Sequence, residues 1–327
     1  MTQFRSLLYG NKAEILPGIT VRLSNAGHIL GSAVVELWLE EGGLKRKIAF
    51  SGDLGYRDAP VMPDAKTIDE ADLVLLESTY GDRLHRPFEE TIDELQEVFD
   101  EADRKRGNII IPAFAVGRTQ DLIYLMGRHY DRWGIGKYRV FLDSPMAIEA
   151  TETYAQFRNL YDTELFRPGS RETTLRNLVM SRTSADSMAI NTIESGVIVI
   201  AASGMCTGGR VLHHLKHNVW RPECHIVIVG FQAYGTLGRR LVEGADTIRL
   251  WGEDIRVNAK VHTIGGLSAH GDQTDLLNWY GAFKNRPPVH LIHGEPDSQQ
   301  ALRRALEAKY DARVNIPAFE DVIDLDS

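Results

Sequence analysis

The chain has 327 residues, 43% hydrophobic, 25% charged and 8% aromatic, which suits a globular protein of about two domains and excludes disordered, collagenous and coiled-coil chains. The formal net charge of −8 argues against holding nucleic acid by bulk positive charge. No apolar run nears the ~18 residues of a membrane span, the start M-T-Q-F-R-S-L-L-Y-G lacks a signal-peptide core, and two cysteines outside any C-x-x-C pair exclude a disulfide framework and argue against a cysteine zinc site. A cytoplasmic location without membrane contact is the expectation.

In chain order, residues 19–23, 33–39 and 47–50 read as strands, separated by turn signals at Glu41-Gly42-Gly43 and Ser51-Gly52-Asp53. Residues 72–77, D-L-V-L-L-E, form a continuous apolar run, as in a strand buried on both faces. After Pro87 the period changes: Ile92, Leu95, Val98 and Ala102 predict a helix ending near Gly107. Strands at 108–112, 138–142, 197–201 and 225–229 then alternate with helices at 119–130, 146–158, 170–178 and 209–216. This predicts an α/β domain with a largely parallel sheet. Mixed elements follow at 257–264, 272–283, 289–292, 298–309 and 313–316. Residues 108–250 carry a slight positive excess and the remainder the negative one. That fits a cation site beside a polyanion-holding surface, and equally fits ordinary surface variation.

Four groups of residues at strand ends carry chemistry. They are A-G-H-I-L-G-S with His28, S-G-D-L-G with Asp53, E-S-T-Y-G-D-R-L-H with Glu77, and the late pair G-G-L-S-A-H-G-D with His270 and L-I-H-G-E with His293. Imidazole and carboxylate together suit zinc or a similar borderline metal. A glutamate beside a histidine suits a general acid. Each residue alone is equally at home in a hydrogen-bonded turn. Two glycine-rich stretches, Ala201 to Arg210 and Gly235 to Arg240, read either as phosphate-holding loops helped by Arg118, Arg210, Arg239 and Arg240, or as tight turns with solvated arginines. His213 and His217 share a helix face without an intervening acid, which favours a surface or packing role. Trp133, Trp220, Trp251 and Trp279 are expected in core or hinge packing.

The ordered series A-G-H-I-L-G-S, S-G-D-L-G, E-S-T-Y-G-D-R-L-H, P-A-F-A-V-G-R, S-G-M, G-G-R-V-L-H-H-L, G-T-L-G-R-R-L, L-S-A-H-G-D and L-I-H-G-E resembles the β-CASP family of metallo-β-lactamase-fold nucleases, from about Tyr9 to Ile316. The likeness is greatest to bacterial and archaeal relatives of the pre-mRNA 3′-end cleavage endonuclease. It implies an α/β chain: a metallo-β-lactamase αββα sandwich in two parts, 1–107 and 246–327, interrupted by an α/β β-CASP domain at 108–245. It further implies hydrolysis of single-stranded RNA phosphodiesters with two zinc ions. By position, His28, Asp53 and His293 match zinc ligands, with Asp53 the bridging one. Glu77 and His270 match the acid/base pair. Ser203, Gly204, Gly208, Gly209, Gly235 and Gly238, with Arg118, Arg210 and Arg239, match the substrate-holding loops.

The chain departs from the family in one motif. H-x-H-x-D-H is absent, and none of the 27 residues before His28 is histidine. The chain is therefore expected to be a truncated form of a full nuclease, its sandwich incomplete at the N-terminal side, with an apolar sheet face or edge exposed, poor zinc binding, and association with a second copy or with a chain that brings the motif. A non-catalytic RNA-binding or scaffold subunit is the alternative expectation. A small-ester hydrolase is a third, disfavoured by the glycine-rich loops.

Overall fold

The computed structural model describes residues 4–160 and 175–325. In chain order the elements are β1 (Lys12–Leu16), β2 (Ile19–Asn25), β3 (Ala33–Glu41), β4 (Leu44–Phe50), β5 (Leu73–Glu77), α1 (Phe88–Lys105), β6 (Ile109–Pro112), α2 (Arg118–Arg128), β7 (Arg139–Leu142), α3 (Pro145–Gln156), β8 (Leu178–Met180), α4 (Ser184–Ile190), β9 (Val197–Ala201), α5 (Val211–Asn218), β10 (His225–Ile228), α6 (Leu237–Val242), β11 (Thr247–Leu250), β12 (Glu253–Arg256), β13 (Lys260–Thr263), α7 (Gln273–Gly281), β14 (Val289–Ile292), α8 (Pro296–Tyr310) and β15 (Val314–Asn315). They form two compact units, residues 1–84 with 269–327, and residues 85–268.

The first unit holds a seven-stranded sheet in the order β1-β2-β3-β4-β5-β14-β15. β1 to β4 are antiparallel neighbours, and β4, β5, β14 and β15 are parallel. One face carries Val34, Ala49, Val74 and Leu76 into a core with Leu276 and Tyr280 of α7 and Leu302 and Leu306 of α8. Beyond that core the same face is charged: Glu36, fully buried, takes a two-pronged bond from Arg22 and one from Lys47 at 2.8 Å. Because strand side chains alternate, Leu23, Val35, Leu37, Leu39 and Phe50 fall on the opposite face, where they are half-buried. The expected two-sheet sandwich is thus represented, among the described residues, by one sheet with helices on one face. The edge strand β1 leaves Ile15 and Leu16 exposed.

The second unit holds a six-stranded, wholly parallel sheet in the order β13-β10-β6-β9-β7-β8, plus the β11-β12 hairpin. β6, β9 and β10 are buried at every position, as continuous β-branched runs predict for strands covered on both faces. The expected boundaries at 107/108 and 245/246 fall inside this unit. α1 and β13 belong to it: Thr91 donates to Gly265 O at 2.8 Å, Lys260 pairs with Glu101, and β13 pairs with β10. Of the helix expected at 170–178, residues 170–174 lie outside the described residues, and Leu178 instead opens β8.

Candidate metal and acid/base site

Topology brings the first unit's chemical residues together. β2 and β4 point the same way because each is antiparallel to β3, and β4, β5 and β14 are mutually parallel. The C-terminal ends of β2, β4, β5 and β14 therefore share one edge of the sheet. His28, Asp53, Glu77 and His293 stand at those four ends. His270 joins them from the segment before α7, bridged to Gly55, while Gly271 N–H donates to Leu54 O at 2.7 Å. Gly55 N–H donates to Ala26 O at 2.8 Å, and a Cβ on Gly55 would lie 2.0 Å from Gly27 O, so this approach requires glycine.

Asp53 divides its carboxylate. One oxygen lies 3.9 Å from Nε2 of His28 and the other 3.1 Å from Nδ1 of His293. His293 sits at φ +50°, in the left-handed region, held by Ser78 N–H and the Thr79 hydroxyl, which both donate to its carbonyl at 3.2 Å. The ring of His270 lies 4.4 Å from that of His28 and 5.8 Å from that of His293, centre to centre.

Glu77 is buried beneath His270. Its carboxylate accepts from Leu54 N–H at 2.5 Å and meets Nδ1 of His270 at 3.0 Å, and its own N–H donates to Ser51 Oγ at 3.0 Å. With Nδ1 turned to Glu77, any proton His270 exchanges with a ligand travels through Nε2. The holding roles of Ser51 and the Leu54 amide escaped the sequence reading, since a backbone donor carries no residue-type signal.

The donor chemistry fits a borderline metal. The Nδ1 of His28 is buried with no hydrogen bond of normal geometry. The imidazole is held below its ordinary pKa, first by desolvation and then by His270, against the opposing pull of Asp53. A ring biased toward its neutral form, with Nε2 facing one oxygen of a split carboxylate, suits a metal ligand. One donor atom from each of His28, Asp53 and His270 lies within 4.8 Å of the others. His270, expected only as an acid, thus also stands among the donors.

In the second unit the residues expected to hold phosphate lie on the loops after β6, β9 and β10 and in the first turns of α2 and α6 that follow them. Ser203 Oγ accepts from Thr207 N–H at 2.9 Å, and Gly209, at φ +77°, closes the loop where a Cβ would meet Ala202 O at 2.5 Å. Gly204 lies beneath Phe114, and Gly238 against Gln232. Gly208 and Gly235 face open space. The arginines are engaged internally. Arg118 is buried and pairs with Asp121 at 3.2 Å, and Arg239 bonds Glu243 at 2.7 Å. Arg210 bonds the buried Asp143 at 2.8 Å and the carbonyls of Ser181 and Arg182. Asp143 also accepts from Ser187 Oγ and meets Nε2 of His214, each at 2.6 Å, and its carboxyl is held below the usual range: hydrogen bonds, His214's first, outweigh the opposing desolvation. The L-D-S turn after a buried strand was the available signal for this network, and the sequence reading passed it over.

Trp133 and Trp279 are buried as expected, whereas Trp220 and Trp251 are about half exposed. Trp251 stacks with His213 at 4.6 Å, which explains that histidine without a metal. A second donor group, Glu101, His225 and His262, closes on itself: Glu101 is paired with Lys105 and Lys260, and the two rings meet at 2.8 Å.

The Beta-Casp domain family matches residues 119–241, and the Zn-dependent metallo-hydrolase RNA specificity domain family matches residues 254–317. Ribonuclease TTHA0252 of Thermus thermophilus is 37% identical over 312 residues, covering 92% of this chain and 68% of that protein. This chain belongs to the β-CASP family of metallo-β-lactamase-fold nucleases. Among other members, an RNase J-like protein of Methanocaldococcus jannaschii is 31% identical over 298 residues, 90% of this chain and 68% of its own length. Transcription termination factor FttA of Pyrococcus abyssi is 32% identical over 334 residues, and the chain spans about half of that relative, 51%. The fold expectation stands in its family form: a metallo-β-lactamase unit in two chain segments with a β-CASP domain inserted between them.

Proposed function

We propose that this β-CASP nuclease cleaves phosphodiester bonds of single-stranded RNA, with His28, Asp53 and His293 as zinc-holding residues and Glu77 and His270 as the proton-handling pair. The observation that carries the reading is the convergence of three imidazoles and two carboxylates, from four strand ends and one loop, on one edge of one sheet. When bound, zinc at this site supplies Lewis-acid polarisation of the phosphate and a nucleophile at neutral pH. Two ions per complete site is the family expectation, and His28, Asp53 and His293 contribute only part of their ligands.

The chain's own residues do the rest. As a water oxygen joins phosphorus and the ester P–O bond breaks, the departing oxygen needs a proton. His270 delivers it from Nε2 while Glu77 holds Nδ1–H and offsets the imidazolium charge. Burial of Glu77 makes that compensation stronger than it would be in water. The loops of the inserted domain hold the RNA strand.

The test is cleavage of an end-labelled single-stranded RNA with zinc, by the chain alone and mixed with a segment carrying H-x-H-x-D-H. Asp53→Asn and His270→Ala are each expected to lower kcat by at least about 10³-fold and 10²-fold respectively, with circular dichroism unchanged. Unaltered rates in either variant would remove the assignment. The alternative, an RNA-binding subunit without catalysis, draws on the small number of metal donors. It predicts equal RNA binding by wild type and Asp53→Asn, and no cleavage under any of these conditions.

A further inference from the structure

In the parallel sheet of the second unit, β6 and β9 are neighbours, yet the chain leaves them in opposite directions. From β6 it passes through α2 to β7, two places to one side. From β9 it passes through α5 to β10, two places to the other. Crossovers between parallel strands are right-handed, so two that depart oppositely cover opposite faces and leave a crevice at the C-terminal ends of β6 and β9. In open parallel sheets that crevice is where ligands sit.

The residues at its rim are aromatic as well as glycine. Phe114, immediately after β6, keeps 44% of its surface exposed although its neighbours on the strand are buried. Its ring lies over Gly204, where an added Cβ would be 3.0 Å from Phe114 Cδ2. Tyr234, on the loop after β10, is 91% exposed. That loop is tied to the β9 loop by Gln232 Nε2 donating to Gly204 O at 3.0 Å and by Gly238 N–H donating to Met205 O at 3.1 Å. Three consecutive strand ends thus present two exposed rings on loops fixed to one another. The charged side chains nearby, Arg210 and Arg239, are committed to Asp143 and Glu243. The accessible chemistry at this edge is flat aromatic surface, which recognises nucleobases rather than phosphate.

We propose that Phe114 and Tyr234 form a stacking platform for successive bases of single-stranded RNA. The choice of ligand rests on the nuclease reading above; the platform itself rests on topology and exposure. Stacking on aromatic rings is tolerant of sequence, so this unit grips unpaired strands of any sequence and rejects duplexes, whose bases are already stacked.

The experiment titrates the full chain with a fluorescein-labelled oligoadenylate by anisotropy, beside the same oligomer with abasic riboses at its central positions. Tyr234→Ala and Phe114→Ala are each expected to weaken binding of the intact oligomer about 5- to 100-fold. Tyr234→Phe, which keeps the ring, binds within about twofold of wild type, and Phe114→Leu keeps the packing on Gly204 but loses affinity like Phe114→Ala. The abasic oligomer binds wild type weakly and is insensitive to all four changes. In cleavage assays the alanine variants raise KM with kcat unchanged. Equal binding of intact RNA by wild type and both alanine variants overturns the platform, as does equal loss for intact and abasic oligomers, or no binding by wild type. Cleavage together with ring-independent binding leaves the nuclease reading standing and removes the platform. Ring-dependent binding without cleavage does the reverse.

Discussion

The two sheets of this β-CASP nuclease treat their strand ends and faces in opposite ways. In the inserted unit, β6, β9 and β10 are covered on both faces, and the charges around the strand ends are paired internally: Asp143 with Arg210, Arg118 with Asp121, Arg239 with Glu243. In the first unit, β2 to β4 are covered by helices on one face only among the described residues. Beyond its strands Asp53 and His293 stay open to solvent and aimed at one another, beside the buried Glu77. Stability was favoured at one set of strand ends and reactivity at the other. Groups buried against internal partners hold a fold, and groups that keep a face open to solvent can meet a ligand.

Substitutions can break this contrast. The largest effect is expected at Asp143. Replacing it by alanine leaves the half-buried Arg210 guanidinium without its carboxylate and the buried His214 Nε2 and Ser187 hydroxyl without their partner, and urea denaturation is expected to show about 3–5 kcal/mol lost. A loss below about 1 kcal/mol would mean the network is not structural. The next effect is acid sensitivity of the second unit. His225 is pushed down to about 4 by burial and by His262, and His262 is itself lowered. The facing groups are Glu101, Lys105 and Lys260, and Glu101 is pulled down to about 2, chiefly by its hydrogen bond from Lys260. Above pH ~6.5 His225 is neutral in both folded and unfolded chains. Between about 6.5 and 4 the unfolded chain takes the proton and the folded one does not, so stability falls as pH falls through that window. His225→Gln is expected to flatten the thermal-denaturation profile there.

The strand assignments most legible in the sequence were those whose burial was uniform. I-I-I-P and V-I-V-I-A announce β6 and β9 because every residue is apolar, and the helix stripe of Ile92, Leu95, Val98 and Ala102 announces α1. The hairpin β11-β12 and the edge strands β1 and β8 were missed, because exposed strands with mixed polarity carry no period strong enough to separate them from loops. The five residues of the site were legible as an ordered series of motifs. Their mutual distances were not, since no two sit near each other in sequence and the convergence depends on β14 pairing with β5. The internal partners of the arginines were not legible for a related reason: a guanidinium beside a glycine-rich loop reads the same whether or not it bonds a buried aspartate such as Asp143.

Two smaller tests sharpen the comparison. Leu37, half-buried between the buried Val21 and Ile48 on the face away from α7 and α8, is expected to promote association of the first unit. Leu37→Glu should shift the sedimentation distribution toward monomer with a Tm change under a few degrees; an unchanged distribution would mean that this face is not what associates. Arg239→Ala is expected to have the least effect. An exposed pair one helical turn apart contributes about 0.3–0.5 kcal/mol, and KM for RNA should not move if the guanidinium belongs to Glu243. A several-fold rise in KM would return Arg239 to the ligand.

Gly55 meets the Gly27 carbonyl with no room for a side chain, and Leu54 O receives the Gly271 amide. Three loops from distant parts of the chain are thereby fastened through main chain, with the Glu77 carboxylate bridging Leu54 N–H and His270. Amide exchange at Gly55 and Gly271 should then report a single opening event rather than two local ones. A site facing water is in this respect as cooperative as a core: the positions of His28, Asp53 and His270 rise and fall together, and a mutation that loosens one loop detunes all three.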